Sequence, residues 1–399
     1  MTVGQPSGAR ASAISCPSCG GAVDLGDDRL TGLAGQGRTE CRYCGSAILL
    51  PSPGFGRPLL PRTVPPAGSG GSGGRAGAIG AVLVVVLLLL GVGALALHAA
   101  GGRSGPTVPG SGAPSAAPTN GGFATVVRHF GGKGVGTGLM QDAAFVAADG
   151  TGGVWVGDRS DGRVQEFGAT GAYVRTISLT PDSNGDTNLR DLATDRQGHL
   201  YVVTADDILQ YDQRSGALLR TIKGTFPQTD YDRVTVDAVG HLFALHVTAS
   251  ENSLTTLDGT GKVLARWHDF TARANKKDPG LALDVAVDGL GTIYVTSGTG
   301  FQVYRFDRTG QFVDRFGDQG TGPGQFASPR GVTVDGSGRV YVADLGRIMQ
   351  FDRSGRFLAE MRLDPSFGPV VGLDADHDRL HAVSADGVVA ELQLKPPAG

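Results

Sequence analysis

The 399-residue chain has no cysteine after Cys44, so everything beyond it is built without disulfides or thiolate-held metal. It has no charged residue between 78 and 97, which removes the polar face that a helix buried in a soluble core would show. No Gly-x-Ser-x-Gly elbow sits between a strand and a helix, and no Gly-rich run leads into the Gly-Lys-Ser/Thr of a phosphate loop. The nearest approach, GGKGVGTG at 131–138, reads as a connector. Basic excess is missing too: 35 Lys and Arg stand against 38 Asp and Glu. That balance argues against a broad nucleic-acid surface, which needs dense Lys and Arg.

What the chain does have is one grammar written five times. A β-branched or small-residue run ends in Asp, a Gly turn comes next, and then a hydrophobic–aromatic–small triplet. The copies are AADGTGGVWVG (147–157), ATDRQGHLYVV (193–203), TVDAVGHLFAL (235–245), AVDGLGTIYVT (286–296) and TVDGSGRVYVA (333–343). Asp and aromatic are six apart each time: Asp149/Trp155, Asp195/Tyr201, Asp237/Phe243, Asp288/Tyr294 and Asp335/Tyr341. The Asp-to-Asp spacings of 46, 42, 51 and 47 residues fit a β-propeller, one four-stranded blade per repeat. A second turn, aromatic–Asp–x–x–Gly, recurs at Tyr211-Asp212, Phe306-Asp307 and Phe351-Asp352, and precedes a fourth strand in each blade. One blade cannot bury its own faces, but a ring of blades can.

A sixth, decayed copy, GLDADHDRLHAV (372–383), puts Ala375 in the Asp slot and His381 in the aromatic slot. It supplies three strands only. TVVRHFGG (125–132) resembles the outermost strands of the other blades, so it is expected to complete the sixth blade and close the ring, leaving no mismatched edge. The predicted fold class is all-β, a six-bladed β-propeller.

These repeats resemble the NHL-repeat family, six-bladed propellers with the pattern P-x-G-V-x-V-D…G-x-V-Y-V-A-D…R-V-Q-x-F-D…G. Blade five matches through Pro329, Gly331-Val332, Val334-Asp335, Val340 to Asp344 and Phe351-Asp352; blade one matches through Asp158, Arg163-Val164-Gln165 and Phe167. Blades two to four depart from it, with Thr204, His246 and Ser297 where the pattern has Asp. The resemblance spans about 123–395 and implies a fold more than an activity.

All four cysteines fall in CPSCG (16–20) and CRYCG (41–45). Two Cys-x-x-Cys pairs, each followed by Gly, fit one tetrahedral zinc held by Cys16, Cys19, Cys41 and Cys44, with AVDL (22–25) and AILL (47–50) as short strands. Two disulfides or a redox pair are the competing readings. With no histidine before His98, the eight ligands of a two-zinc RING are lacking. So small a segment would draw most of its folding energy from the one structural zinc.

The apolar run AIGAVLVVVLLLLGVGALAL (78–97) is long enough to cross a hydrocarbon core of about 30 Å as a helix. A cleaved signal peptide would need a leader of some 77 residues before it, which disfavours that alternative. Arg57, Arg62 and Arg75 precede the run and only Arg103 lies closely beyond it, which points to a cytoplasmic amino terminus. Thiols confined to the same side agree with a reducing compartment there. The expected organisation is a disordered 1–15, a zinc ribbon at 16–50, a flexible linker at 51–77, a transmembrane helix at 78–98, a second linker at 99–122, and a propeller at 123–395 outside the cytoplasm.

In such a ring, the loops joining second to third strands and blade to blade gather on one face. That face carries the ligand-facing candidates Asp158, Arg163, His246, Lys276, Lys277, Asp344 and Arg347, although for Asp158/Arg163 and Asp344/Arg347 a blade-stabilising ion pair is the favoured reading. His199 and His241 occupy equivalent turn positions, and the five repeated Asp are expected to cap turns. No catalytic set emerges. The leading reading is a membrane-anchored binding module: the propeller takes an extracytoplasmic protein, peptide or glycan, and the zinc ribbon contacts a cytosolic protein or merely caps the terminus. The alternative is an extracytoplasmic metal-dependent hydrolase or lyase like other six-bladed enzymes. Nucleic-acid binding is opposed by the charge of residues 121–399, with 27 basic against 34 acidic groups.

Overall fold

The computed structural model describes residues 122–396, apart from 182–185, 206, 225–230, 249–250 and 275–283, together with four short strands nearer the amino terminus. Those strands form two antiparallel pairs, Ala13–Ser15 with Ala22–Asp24 and Arg38–Glu40 with Ala47–Leu49. Each pair brackets one Cys-x-x-Cys segment, and the first begins upstream of the expected ribbon boundary. The cysteines themselves, the apolar run 78–98, and Lys276 and Lys277 lie outside the described residues. Among the described residues, no helix is long and apolar enough to cross a membrane.

Residues 124–394 form six four-stranded antiparallel sheets. The innermost strands are Ala143–Ala148, Asp191–Thr194, Arg233–Val236, Asp284–Val287, Pro329–Val334 and Val370–Asp376. The sixth blade takes its outermost strand from the start of the domain: Ala124–Gly131 pairs antiparallel with Val388–Leu394, from Leu394↔Ala124 to Val388↔Gly131. The ring therefore closes as expected, with the strand one residue earlier than read from sequence.

The six-residue Asp–aromatic spacing has a direct cause. The repeat Asp accepts two backbone N–H groups of the turn just after it. Asp195 takes Gln197 and His199, and Asp335 takes Ser337 and Arg339. In two blades its other oxygen receives the hydroxyl of the aromatic six residues on, Tyr201 at 3.0 Å and Tyr341 at 2.9 Å, whereas the Tyr294 hydroxyl donates to the Arg353 carbonyl and Arg353 holds Asp288. The histidines at the equivalent turn position add a further bond to the same carboxylate, His199 Nδ1 to Asp195 beside Tyr201 and His241 Nδ1 to Asp237 beside Phe243. The core is not central. Six apolar clusters each join residues of neighbouring blades, for example Trp155 with Leu200 and Val202, and Tyr341 with Leu380 and Leu392. Burial thus fastens blade to blade, and the axis is left as a channel.

Two inter-blade connectors are near-copies: GGKGVGTGLM before blade one and GDQGTGPGQF before blade five, each closed by a bridge, Lys133↔Met140 and Gln319↔Phe326. Asp158 accepts the Gln141 and Asp142 N–H groups, and Arg163 donates to the Val135 and Leu139 carbonyls. Asp344 accepts Ala327 and Ser328, and Arg347 donates to Thr321 and Gln325. Blades two to four have no such strap among the described residues, and their residues at the Asp344 position serve other contacts. Thr204 and Ser297 bond their own tight turns.

Candidate ligand-binding mouth of the central channel

The six inner strands all run the same way along the axis. They end at the repeat-Asp turns and begin at the face that carries the inter-blade connectors. Four residues before each repeat Asp, at the connector end, stand Phe145, Asp191, Arg233, Asp284 and Gly331, with Val371 at the equivalent place in blade six. The layer mixes aromatic, acidic, basic, small and aliphatic residues. The channel they open into encloses about 320 Å3, and Arg159 and Arg330 add to its lining at this mouth.

An inner strand is a sheet edge, so its axis-facing N–H groups have no strand partner. Carboxylates from the preceding blade supply one. Asp191 accepts Val234, Asp284 accepts Val332 and Asp374 accepts Ala148, each at 2.8 Å. These are every second junction of the ring: two to three, four to five, six to one. Burial pushes the Asp191 carboxyl up to about 8, opposed by Arg233 and reinforced by Asp284. Asp284 is raised by burial as well, again opposed by Arg233, whose Nε lies 3.8 Å from its Oδ1. Asp374 is pushed up to about 7 by burial, against the pull of its bond from Ala148.

The cations of the mouth differ in how firmly they are held. Arg233 donates from Nη1 to the carbonyls of Arg190 and Asp232, at 2.9 and 2.7 Å. Its guanidinium carbon is 5.3 Å from the Phe145 ring centre, and that of Arg159 is 5.5 Å away, so Phe145 is covered by two cations. Arg159 otherwise meets only Asp142 among the described residues, at 3.7 Å. Arg330 is exposed, and its guanidinium makes no hydrogen bond or ion pair among the described residues. A second cavity of about 570 Å3 adjoins on the same face, sharing Phe145, Arg159 and Arg233 and lined further by Ser160, Thr187 and Asn188.

The residues singled out from sequence sit differently. Asp158 and Asp344 are fully buried, and Arg347 is nearly so; with Arg163 they clamp the two straps. Their ion-pair reading is the one the geometry displays. His246 approaches Asp232 at 3.7 Å and lines neither cavity. Among the described residues, no group of three or more His, Cys, Asp or Glu is placed to hold a metal ion. Sequence reasoning missed the mouth residues Asp191, Arg233, Asp284 and Arg330 because they lie on inner strands, whereas the candidates came from loops. The available signal was a charge four or five residues before the repeat Asp, where the strand otherwise begins on an apolar residue.

A family model described as "6-bladed beta-propeller" matches residues 285–385. Human "NHL repeat-containing protein 3" is 39% identical over 75 residues, which is 18% of this chain and 22% of that relative's length. Among solved structures, a protein of unknown function from Bacteroides thetaiotaomicron is 14% identical with a TM-score of 0.53, covering 68% of this chain and 76% of its own. Virginiamycin B lyase from Staphylococcus aureus is 11% identical with a TM-score of 0.48, covering 67% and 99%. At such identities the likeness carries architecture and no activity. The closed ring makes residues 124–394 a six-bladed β-propeller, and the repeat grammar together with the short match to the human relative makes it NHL-like.

Proposed function

We propose that the chain is a single-pass membrane protein whose propeller binds a protein, peptide or glycan outside the cytoplasm. In this reading the run 78–98 is the membrane span and the amino terminus is cytoplasmic. Cys16, Cys19, Cys41 and Cys44 hold one structural zinc there. The bracketing of each cysteine pair by an antiparallel strand pair supports the zinc reading, because such a hairpin brings two sulfurs of one segment toward a single ion. The zinc neutralises the four thiolates in part and ties two hairpins that have little apolar surface of their own. A cytosolic protein is the natural partner for that end.

The observation that carries the binding reading is the mouth layer: charged groups that the repeat does not require, bordering a cavity on a face whose connectors are clamped by Asp158/Arg163 and Asp344/Arg347. The test is a crosslinking pull-down with the intact chain against surface and secreted material. Species retained by the wild type and lost with Arg330→Ala support the reading; identical retention by both would overturn the assignment of the mouth. A second reading, an extracytoplasmic hydrolase or lyase, is favoured by one feature. The Asp191 carboxyl, pushed up to about 8, carries a proton at neutral pH and faces a cavity, as a general acid must. Turnover that disappears with Asp191→Asn would select it.

A further inference from the structure

One cation at the mouth has no structural employment. Arg163 and Arg347 are tied to strap carbonyls, and Arg190 to Asp232. Arg330 instead lines the channel exposed and unpaired among the described residues. Arg233 and Arg159 border the same cavity, and Arg159 is held there by the Phe145 ring and the long contact to Asp142. Burial pushes the Asp191 carboxyl up to about 8, so around neutral pH it offsets little of the positive charge that Arg233, Arg159 and Arg330 bring to the lining of this channel.

The lining also bears on the rest of a ligand whose anionic group meets these cations. Phe145 is the one Phe, Tyr or Trp among the described residues bordering either cavity, and its ring is covered by Arg159 and Arg233. No open aromatic face is offered to a sugar ring there. The adjoining 570 Å3 cavity is lined by Ser160 and Thr187 together with Asp161, Asp186 and Asp232, hydroxyls and carboxylates of the kind that accept backbone N–H groups. The channel wall adds inner-strand edges of the kind an extended backbone can meet.

We infer that the mouth takes the carboxylate end of a peptide chain, with Arg330 as the residue that pairs with the carboxylate, Arg233 and Arg159 flanking it, and the chain lying along the adjoining cavity. This rests on the binding-module reading and names its ligand class. A planar guanidinium suits a carboxylate because two parallel N–H groups meet two oxygens.

The test uses the full-length chain in detergent and a library of random tetrapeptides with blocked amino termini, prepared as free carboxylates and as carboxamides. Binding is read by calorimetry. Free carboxylates should bind saturably, and the carboxamides should bind roughly ten- to a hundredfold more weakly. Arg330→Ala should remove the difference while leaving the thermal transition of the ring unchanged, and Arg330→Lys should keep part of it. Equal binding of carboxylate and carboxamide, or an unchanged difference in Arg330→Ala, would overturn the inference. So would Arg330-dependent binding of a uronate oligosaccharide without peptide binding, although the binding-module reading would then stand. Retention of no species of any class in the pull-down would sink that reading itself.

Discussion

Asp149, Asp195, Asp237, Asp288 and Asp335 close the turn end of five inner strands with the same pair of backbone bonds. The connector end of those strands carries Phe145, Asp191, Arg233, Asp284 and Gly331, a mixture of aromatic, acidic, basic and small residues in equivalent places. The contrast separates two demands on one repeat. Where the blades agree, the residue answers to the fold, since every blade needs its turn capped. Where they differ, Asp191 and Asp284 still answer to the fold by accepting the Val234 and Val332 N–H groups, whereas the guanidinium of Arg330, next to Gly331, makes no such bond among the described residues. Blade six falls on neither side. It has lost the Asp and the Tyr together, as Ala375 and His381, and it is the blade whose fourth strand comes from the other end of the domain.

The contrast can be broken first at the seam. Deleting residues 122–131 removes the strand paired to Val388–Leu394 along its whole length and should abolish the cooperative unfolding transition, read by circular dichroism. A transition that survives at the wild-type temperature would show that the ring does not depend on closure. Next come the straps. Asp344→Ala leaves the buried Arg347 with Glu360 as its one remaining carboxylate and two strap N–H groups without an acceptor, and should cost about 3 kcal/mol in denaturant titrations. Ser297→Ala, at the same register in blade four, should cost well under half of that, because it gives up one local turn bond.

His381 supplies a pH-dependent comparison. It is buried between blades six and one, and burial pushes its pKa down to about 4. The unfolded imidazole takes up a proton near pH 6.5, so its contribution is complete above that pH and is lost as pH falls toward 4. Asp191 and Asp374, raised in the fold, run the other way: their contribution is present below the ordinary carboxylate range and is lost as pH rises through about 8 and about 7 respectively. The difference between wild type and His381→Phe isolates the imidazole. The variant should gain on wild type by roughly 3 kcal/mol as pH drops from 6.5 to 4. Parallel stability curves would mean that the imidazole is not the titrating group.

Much of this was legible in the sequence because repetition amplifies it. The Asp–aromatic spacing, six blades and the closing strand are all periodic signals, and the structure returns them within a residue or so. The mouth was not legible, because a residue that breaks a repeat looks like noise in one chain. Arg233 and Asp284 sit where Phe145 also sits, so no pattern flags them. Asp158 and Asp344 attracted notice by matching each other, and that likeness marked a shared strap. The two Gly-rich connectors carried the explanation in plain view: each needs a carboxylate and an Arg to hold its backbone groups. The short strands at 22–24 and 47–49 were expected from AVDL and AILL. Their partners at 13–15 and 38–40 were not, since AIS and RTE have no strand signature of their own.

The central claim is that the repeated Asp residues build the ring and that Arg330, unrepeated and with a guanidinium that makes no structural bond among the described residues, serves the ligand. Melting curves and ligand retention measured side by side for Asp335→Ala and Arg330→Ala test it most directly. Asp335→Ala strips acceptors from Ser337, Arg339 and Tyr341 and should lower the melting temperature by several degrees. Arg330→Ala should leave melting unchanged and lose the retained species. An Arg330→Ala chain that melts as early as Asp335→Ala, or that retains everything the wild type does, would contradict the claim.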